Sequence, residues 1–192
     1  MTSIVIAEDE AIIRLDLREL LEEEGYVVIG EAGRGDQAVE LVRQLKPDIV
    51  ILDVKMPGMD GIEAARLITA DAICAVLMLT AFSQREIVEQ ARDAGAVAYL
   101  VKPFQKSDLI PAIELATARY AETKLLMQEV SELQERLAVR KLLDRAKGLL
   151  IDQHGLQEAD AFAFIQKSAM TKRTTMKDVA ESVLRGELTP SP

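Results

Sequence analysis

Tryptophan is absent from this chain, and cysteine and histidine occur once each, at Cys74 and His154. A single cysteine excludes an intramolecular disulfide. Set inside an apolar run, Cys74 reads as a small core hydrophobe. A single histidine without metal-type partners nearby reads as a surface loop residue. No apolar stretch is long enough to span a bilayer. Met1-Thr2-Ser3-Ile4 lacks the basic region and cleavage pattern of a secretory leader, so a cytoplasmic protein with no membrane partner is expected. Glycine and proline are missing throughout residues 112–143, so nothing there stops a helix.

Positive charge is also scarce. The chain carries 23 Lys and Arg against 32 Asp and Glu, a net charge of -9. The deficit is uneven, because from Val139 onward nine basic residues face seven acidic ones. That asymmetry suggests an acidic N-terminal domain and a mildly basic C-terminal one. A length of 192 residues allows one large domain or two small ones, and 49% hydrophobic with 29% charged content suits a folded chain.

What is present is a series of short apolar runs. They are Ser3-Ile4-Val5-Ile6-Ala7, Val27-Val28-Ile29-Gly30, Ile49-Val50-Ile51-Leu52, Ala75-Val76-Leu77-Met78-Leu79 and Val97-Ala98-Tyr99-Leu100-Val101. Runs without polar alternation suit parallel strands buried on both faces. Four of them lead into polar groups: Glu8-Asp9, Asp53, Thr80 and Lys102. Between the runs, apolar residues recur at helical spacing. Ile12, Ile13, Leu17, Leu20 and Leu21 share one face, as do Ala38, Val39, Leu41, Val42 and Leu45. Ile62, Ala65, Leu67 and Ile68 mark a third helix, and Ile87, Val88 and Ala91 a fourth. A fifth starts near Ser107, a plausible N-cap, with Pro111 in its first turn. Five alternations of strand and helix predict an α/β doubly wound five-stranded parallel sheet.

The fifth helix continues into a seam at Leu126, Val130, Leu133 and Leu137, spaced as in a short coiled coil. Either it dimerises or it packs on its own chain. Beyond Arg140 the pattern is all helical. One helix runs to about Gln153. A second covers 157–170, with Ala161, Phe162, Ile165, Ala169 and Met170 facing inward. A third runs from Thr174 or Thr175 to Gly186. Thr189-Pro190-Ser191-Pro192 reads as a frayed end.

In an open parallel sheet, ligands bind beyond the carboxyl ends of the strands. Glu8, Asp9 and Asp53 would gather there with Thr80 and Lys102. Carboxylates so close repel one another unless a cation is present, and Mg²⁺ prefers oxygen ligands. A carboxylate at such an edge is a competent nucleophile for phosphorus. Lys102 would offset charge on the transferring group.

These motifs resemble the response-regulator receiver domain: Glu8-Asp9, Asp53 with Met56-Pro57-Gly58 and Asp60-Gly61, Thr80-Ala81, and Lys102-Pro103-Phe104. The resemblance implies a flavodoxin-like sheet of order 2-1-3-4-5 over residues 1–120. It implies phosphorylation of Asp53 by a cognate histidine kinase. It also implies Mg²⁺ held by Glu8, Asp9, Asp53 and the Lys55 backbone carbonyl, with Thr80, Tyr99 and Lys102 as switch and phosphoryl contacts. Glu8 stands where many members have Asp. The chain would be no enzyme beyond its own phosphoryl uptake and loss.

The tail resembles the ANTAR output domain, an RNA-binding three-helix module. The resemblance rests on Arg145-Ala146-Lys147-Gly148-Leu149-Leu150, Ala161-Phe162, Lys167, Ala169-Met170 and Asp178-Val179-Ala180. It implies a helical linker or short coiled coil over 121–139, then a small all-α three-helix bundle over 140–188. It further implies a regulator of transcription antitermination that binds structured RNA stem-loops, with a homodimer forming on phosphorylation. Arg140, Lys141, Arg145, Lys147, Lys167, Lys172 and Arg173 are candidate phosphate contacts. Gly148 sits mid-helix, at a cost of about 1 kcal/mol relative to Ala. Close approach by another helix or by RNA would explain it. Rival readings are a DNA-binding or a protein-binding response regulator. A haloacid-dehalogenase-type phosphotransferase would need a second Asp two residues after the nucleophile, where this chain has Lys55.

Overall fold

The computed structural model describes residues 1–81 and 85–190. Ser191 and Pro192, in the end read as frayed, lie outside them. The strands are β1 Ser3–Ala7, β2 Val27–Ala32, β3 Ile49–Asp53, β4 Ala75–Thr80 and β5 Ala98–Val101. The helices are α1 Ala11–Glu23, α2 Gly35–Leu45, α3 Gly61–Ala70, α4 Arg85–Asp93, α5 Lys106–His154, α6 Glu158–Lys172 and α7 Met176–Leu184. All strand pairs are parallel, in the order β2-β1-β3-β4-β5. This is the flavodoxin-like sheet.

Successive strand residues point to opposite faces, so unbroken apolar runs supply two cores at once. Val5, Ala7, Val50, Leu52, Val76 and Met78 pack under α2, α3 and α4 with Val42, Ile68 and Ala91. Ile4, Ile6, Ile49, Ile51, Leu77 and Leu79 pack under α1 and α5 with Leu17, Leu21, Leu109 and Ile113. Each fully buried Ile or Leu contributes roughly 1.5–3 kcal/mol of transfer free energy.

The chain forms two compact units, Met1–Lys124 and Leu125–Pro192. Helix α5 is uninterrupted through both positions, 120 and 139, at which the sequence suggests boundaries. It begins at Lys106, so Ser107 is not its cap. The Gln105 amide instead donates to the Asp108 carboxylate at 3.0 Å. Pro111 is consequently the sixth helical residue, beyond the first turn. The seam side chains Leu126, Val130, Leu133 and Leu137 are 52–57% exposed, so they do not pack on their own chain. Ile12 also departs from expectation: it is exposed, while Leu17 and Leu21 carry the buried face of α1.

In the second unit, Ala146 and Leu150 of α5 meet Ala161, Ile165 and Ala169 of α6 and Val179, Ala180 and Val183 of α7. Phe162 and Met170 do not face inward as expected; they are 43% and 76% exposed. Alanines at 161 and 169 let α6 pack closely along a narrow stripe. That stripe leaves Phe162 at its margin and Met170 on the far side, while Phe164 packs against the core. Thr175 and Asp178 form a reciprocal capping box that starts α7.

Candidate functional site

The parallel sheet delivers its polar strand ends to one edge. Glu8 and Asp9 follow β1, Asp53 ends β3, Thr80 ends β4, and Lys102 follows β5. Register keeps them adjacent: Asp53 pairs with Leu79, and Thr80 with Val101. The Val54 amide donates to the Leu79 carbonyl at 2.9 Å and the Lys102 amide to the Thr80 carbonyl at 2.7 Å. The backbone therefore fixes the spacing before any side chain is placed.

The Lys102 ammonium donates to Glu8 Oε2 at 2.5 Å and lies 3.2 Å from Asp53 Oδ1. Glu8, Asp53 and Thr80 are buried, whereas Asp9 is exposed. One carboxylate oxygen from each of Glu8, Asp9 and Asp53 falls within 4.8 Å of the other two. Burial pushes the Glu8 and Asp53 carboxyls up, and Lys102 offsets this only in part. Burial pulls Lys102 down, but its hydrogen bond to Glu8 and the Asp53 and Glu8 charges outweigh that, so it ends above its ordinary value. Three carboxylates against one ammonium leave surplus negative charge on an all-oxygen donor set. That set fits a hard divalent cation such as Mg²⁺.

The loop after Asp53 depends on glycine. A Cβ at Gly61 would collide with the Asp53 carbonyl oxygen. The Gly61 amide donates to the Val54 carbonyl at 2.9 Å, turning the chain back beside the site. Lys55, whose carbonyl is a candidate metal ligand, lies in this loop. Gly58 has a φ of 79°, which favours glycine. Two arginines that the sequence reading did not single out support these loops. Arg14 donates to the Glu8 carbonyl at 2.5 Å. Arg34, held by Asp36 at 2.9 Å and 3.0 Å, lies so close over Gly58 that a Cβ there would be 2.9 Å from its guanidinium. No motif marks either one, because each acts through a contact that only the fold creates. Tyr99 stands on β5 beside Met78 and is 50% exposed.

In the second unit, Arg140, Lys141 and Arg145 are exposed on α5, and Lys167, Lys172 and Arg173 on α6 and its C-terminal cap. Lys147 is occupied: it pairs with Asp144 at 3.0 Å and Glu158 at 3.1 Å. A Cβ at Gly148 would meet nothing within 4 Å, so no helix presses against it.

The family description of the response regulator receiver domain matches residues 4–114, and that of the ANTAR domain matches residues 131–184. The chain is a response regulator. This response regulator is 61% identical over 187 residues to the transcriptional regulatory protein PdtaR of Mycobacterium tuberculosis, spanning 97% of this chain and 91% of the relative. Its first unit is 39% identical over 111 residues to the chemotaxis protein CheY of Thermotoga maritima, covering 57% of this chain and 92% of that one. Among solved structures it is similar to the signal receiver domain of a modulated diguanylate cyclase from Desulfovibrio desulfuricans. There the TM-score is 0.60 at 29% identity, over 64% of this chain and 98% of that one. It is also similar to CheY in a CheX-CheY-BeF3-Mg²⁺ complex from Borrelia burgdorferi, with a TM-score of 0.56 at 27% identity, over 58% and 86% of the two chains. Among the described residues, no helix is long and apolar enough to cross a membrane.

Proposed function

We propose that this response regulator takes a phosphoryl group on Asp53 from a phosphorylated histidine kinase and answers by binding RNA stem-loops in transcription antitermination. The observation that carries the reading is the meeting of Glu8, Asp9, Asp53 and Lys102 at one sheet edge. An Asp53 carboxylate oxygen attacks phosphorus, a P–O bond forms, the P–N bond to the kinase histidine breaks, and the imidazole leaves with the electron pair. Glu8, Asp9, Asp53 and the Lys55 carbonyl would hold Mg²⁺, which supplies charge neutralisation on the phosphoryl oxygens. The similar CheX-CheY complex from Borrelia burgdorferi contains BeF3 and Mg²⁺, which supports Mg²⁺ as the ion. No other enzymatic activity is assigned. An apolar hollow beside Lys102, lined by Ile13, Leu17, Leu20, Pro103 and Phe104, gives the kinase a place to dock.

The new phosphate brings about two negative charges. Lys102 pairs with it, Thr80 turns its hydroxyl toward it, and Tyr99 moves into the space that Thr80 leaves. The uncovered seam at Leu126, Val130, Leu133 and Leu137 then pairs with a second copy, presenting two bundles to two stem-loops. The phosphate biases an equilibrium that already exists, so some RNA binding precedes phosphorylation. The test is RNA binding by the full chain with and without acetyl phosphate and Mg²⁺, with duplex DNA as competitor. Phosphodonor should raise RNA affinity severalfold with little effect of DNA. Equal affinity with and without donor refutes the switch, and displacement by DNA refutes the RNA output.

A further inference from the structure

The first unit has a second concave site, at the edge of the sheet opposite Asp53. Pro47 and Asp48 lead into β3, and Ala72 and Ile73 lead toward β4. With the last turns of α5 in this unit, these two corners enclose a hollow of about 570 Å³. We infer that this hollow binds a nucleoside phosphate. The site shares no residue with the phosphoryl site or the bundle, so it stands or falls apart from both.

The hollow is positive although the chain is acidic. Arg43 neutralises one of its carboxylates, Asp71, at 2.8 Å. Lys46 and Lys124 both line it, and neither has an ion-pair partner among the described residues. Counting Arg43, three cations therefore face the carboxylates of Asp48 and Asp71. Two unpaired ammoniums on one hollow suit a compact dianion, and a phosphate monoester is one.

Away from the lysines, the wall accepts hydrogen bonds and does not donate them. The Tyr120 hydroxyl gives its proton to the Ala72 carbonyl at 2.6 Å, and the Thr117 hydroxyl donates to the Ile113 carbonyl at 2.9 Å. Asp48 accepts from the Ser3 amide and hydroxyl at 2.7 Å and 2.8 Å, both on Oδ2, which leaves Oδ1 open. Lone pairs at three places call for a ligand that carries donors besides its phosphate, as ribose hydroxyls and base amino groups are. The Tyr120 ring, Pro47 and Ile73 give the same wall apolar surface for a flat ring. Free phosphate would leave that surface unused, and a bare nucleoside would leave the lysines unpaired. The volume falls in the range of small-molecule sites.

The backbone points to the same place. Among the described residues, three that are not glycine have positive φ, and two of them, Lys46 and Ala72, both at 48°, line this hollow. Such conformations are costly for side-chain-bearing residues and cluster at ligand sites. Lys46 is the C-cap of α2, where glycine would close the helix with less strain. Lysine in its place sets an ammonium on the rim.

The experiment titrates the full chain with AMP, GMP, CMP and UMP and their diphosphates, read by calorimetry and by amide NMR shifts. EDTA is present throughout, so that no Mg²⁺ serves the Asp53 site. At least one nucleotide should bind with a Kd below about 1 mM. It should shift the amides of Ala72, Thr117 and Lys124. The matching nucleoside and inorganic phosphate should each bind about tenfold more weakly or worse. Lys124→Ala should weaken nucleotide binding about tenfold. Lys46→Gly should do the same while melting no lower than wild type, because glycine suits a φ of 48°, so the loss is not unfolding. Absence of any nucleotide binding below about 1 mM overturns the assignment. Nucleotide binding that both lysine variants leave unchanged lies elsewhere on the chain and overturns it as well. Inorganic phosphate that binds as tightly as the nucleotide overturns the nucleoside.

Discussion

The receiver keeps the charges that matter few, buried and pulled together by backbone pairing. The bundle keeps them many, exposed and spread over helix surfaces. Glu8, Asp53 and Lys102 come from three strands and touch. Arg140, Lys141 and Arg145 on α5 and Lys167, Lys172 and Arg173 on α6 and its cap are all exposed. The difference follows from the ligands assigned to each. One phosphoryl group needs a desolvated, fixed charge set. A polyanion is recognised by many weak, screened contacts. Single substitutions should therefore be decisive in the first unit and graded in the second.

The largest contrast comes from Asp53→Asn. Phosphoryl uptake from acetyl phosphate, read by intact mass, should vanish. Yet the Mg²⁺-free protein should melt a few degrees higher. The sign follows from the raised carboxyls: burial favours the neutral forms of Glu8 and Asp53. Their contribution to stability is complete below the unfolded carboxyl range and lost as pH rises through the folded values. At neutral pH they therefore cost stability, and Asn removes one of the two charges. Continued labelling, or a lower Tm, would show that the site has been misread.

A smaller but still sharp effect is expected from Lys102→Ala. It leaves the buried Glu8 and Asp53 carboxylates without their counter-ion, at about 3 kcal/mol near pH 7. Lowering the pH toward 5 should shrink that loss, because the two carboxyls can then take up protons. Urea midpoints at both pH values provide the measurement. A loss of equal size at both means that the ion pair is not what Lys102 contributes.

The same contrast explains what was legible in the sequence. Strand ends are punctuated by composition, so Asp53, Thr80 and Lys102 could be placed on one edge from the runs alone. Parallel pairing then did the rest, as the register Asp53–Leu79 and Thr80–Val101 shows. The supporting arginines were invisible, because Arg14 reaches Glu8 across a helix turn and Arg34 reaches Gly58 from another loop. In the bundle, periodicity found α6 but misjudged its inner face. Phe162 and Met170 are apolar at near-helical spacing, yet Ile165 flanked by the small Ala161 and Ala169 already fills the core. Hydrophobicity alone does not tell a core residue from an exposed one when alanine can do the packing. Ser107 failed as a cap for a related reason: Asp108, one residue later, holds the Gln105 amide instead.

The smallest effect lies in the bundle and runs opposite in pH to the receiver site. Asp178 accepts from the Thr174 and Thr175 hydroxyls at 2.6 Å and 2.7 Å and from the Thr175 amide at 3.1 Å. Those bonds, the Thr174 one first, hold its carboxyl down at about 2. A lowered carboxyl contributes stability that is present above its unfolded value of 3.8 and lost as pH falls through about 2. Acid should therefore loosen the first turn of α7 only below the range over which it relieves Glu8 and Asp53. Asp178→Asn should remove that acid step while leaving the fold in place, with faster amide exchange confined to the start of α7. Carboxyl shifts followed by NMR through the titration give the answer, and an Asp178 midpoint near 4 would mean that the capping box does not hold the charge.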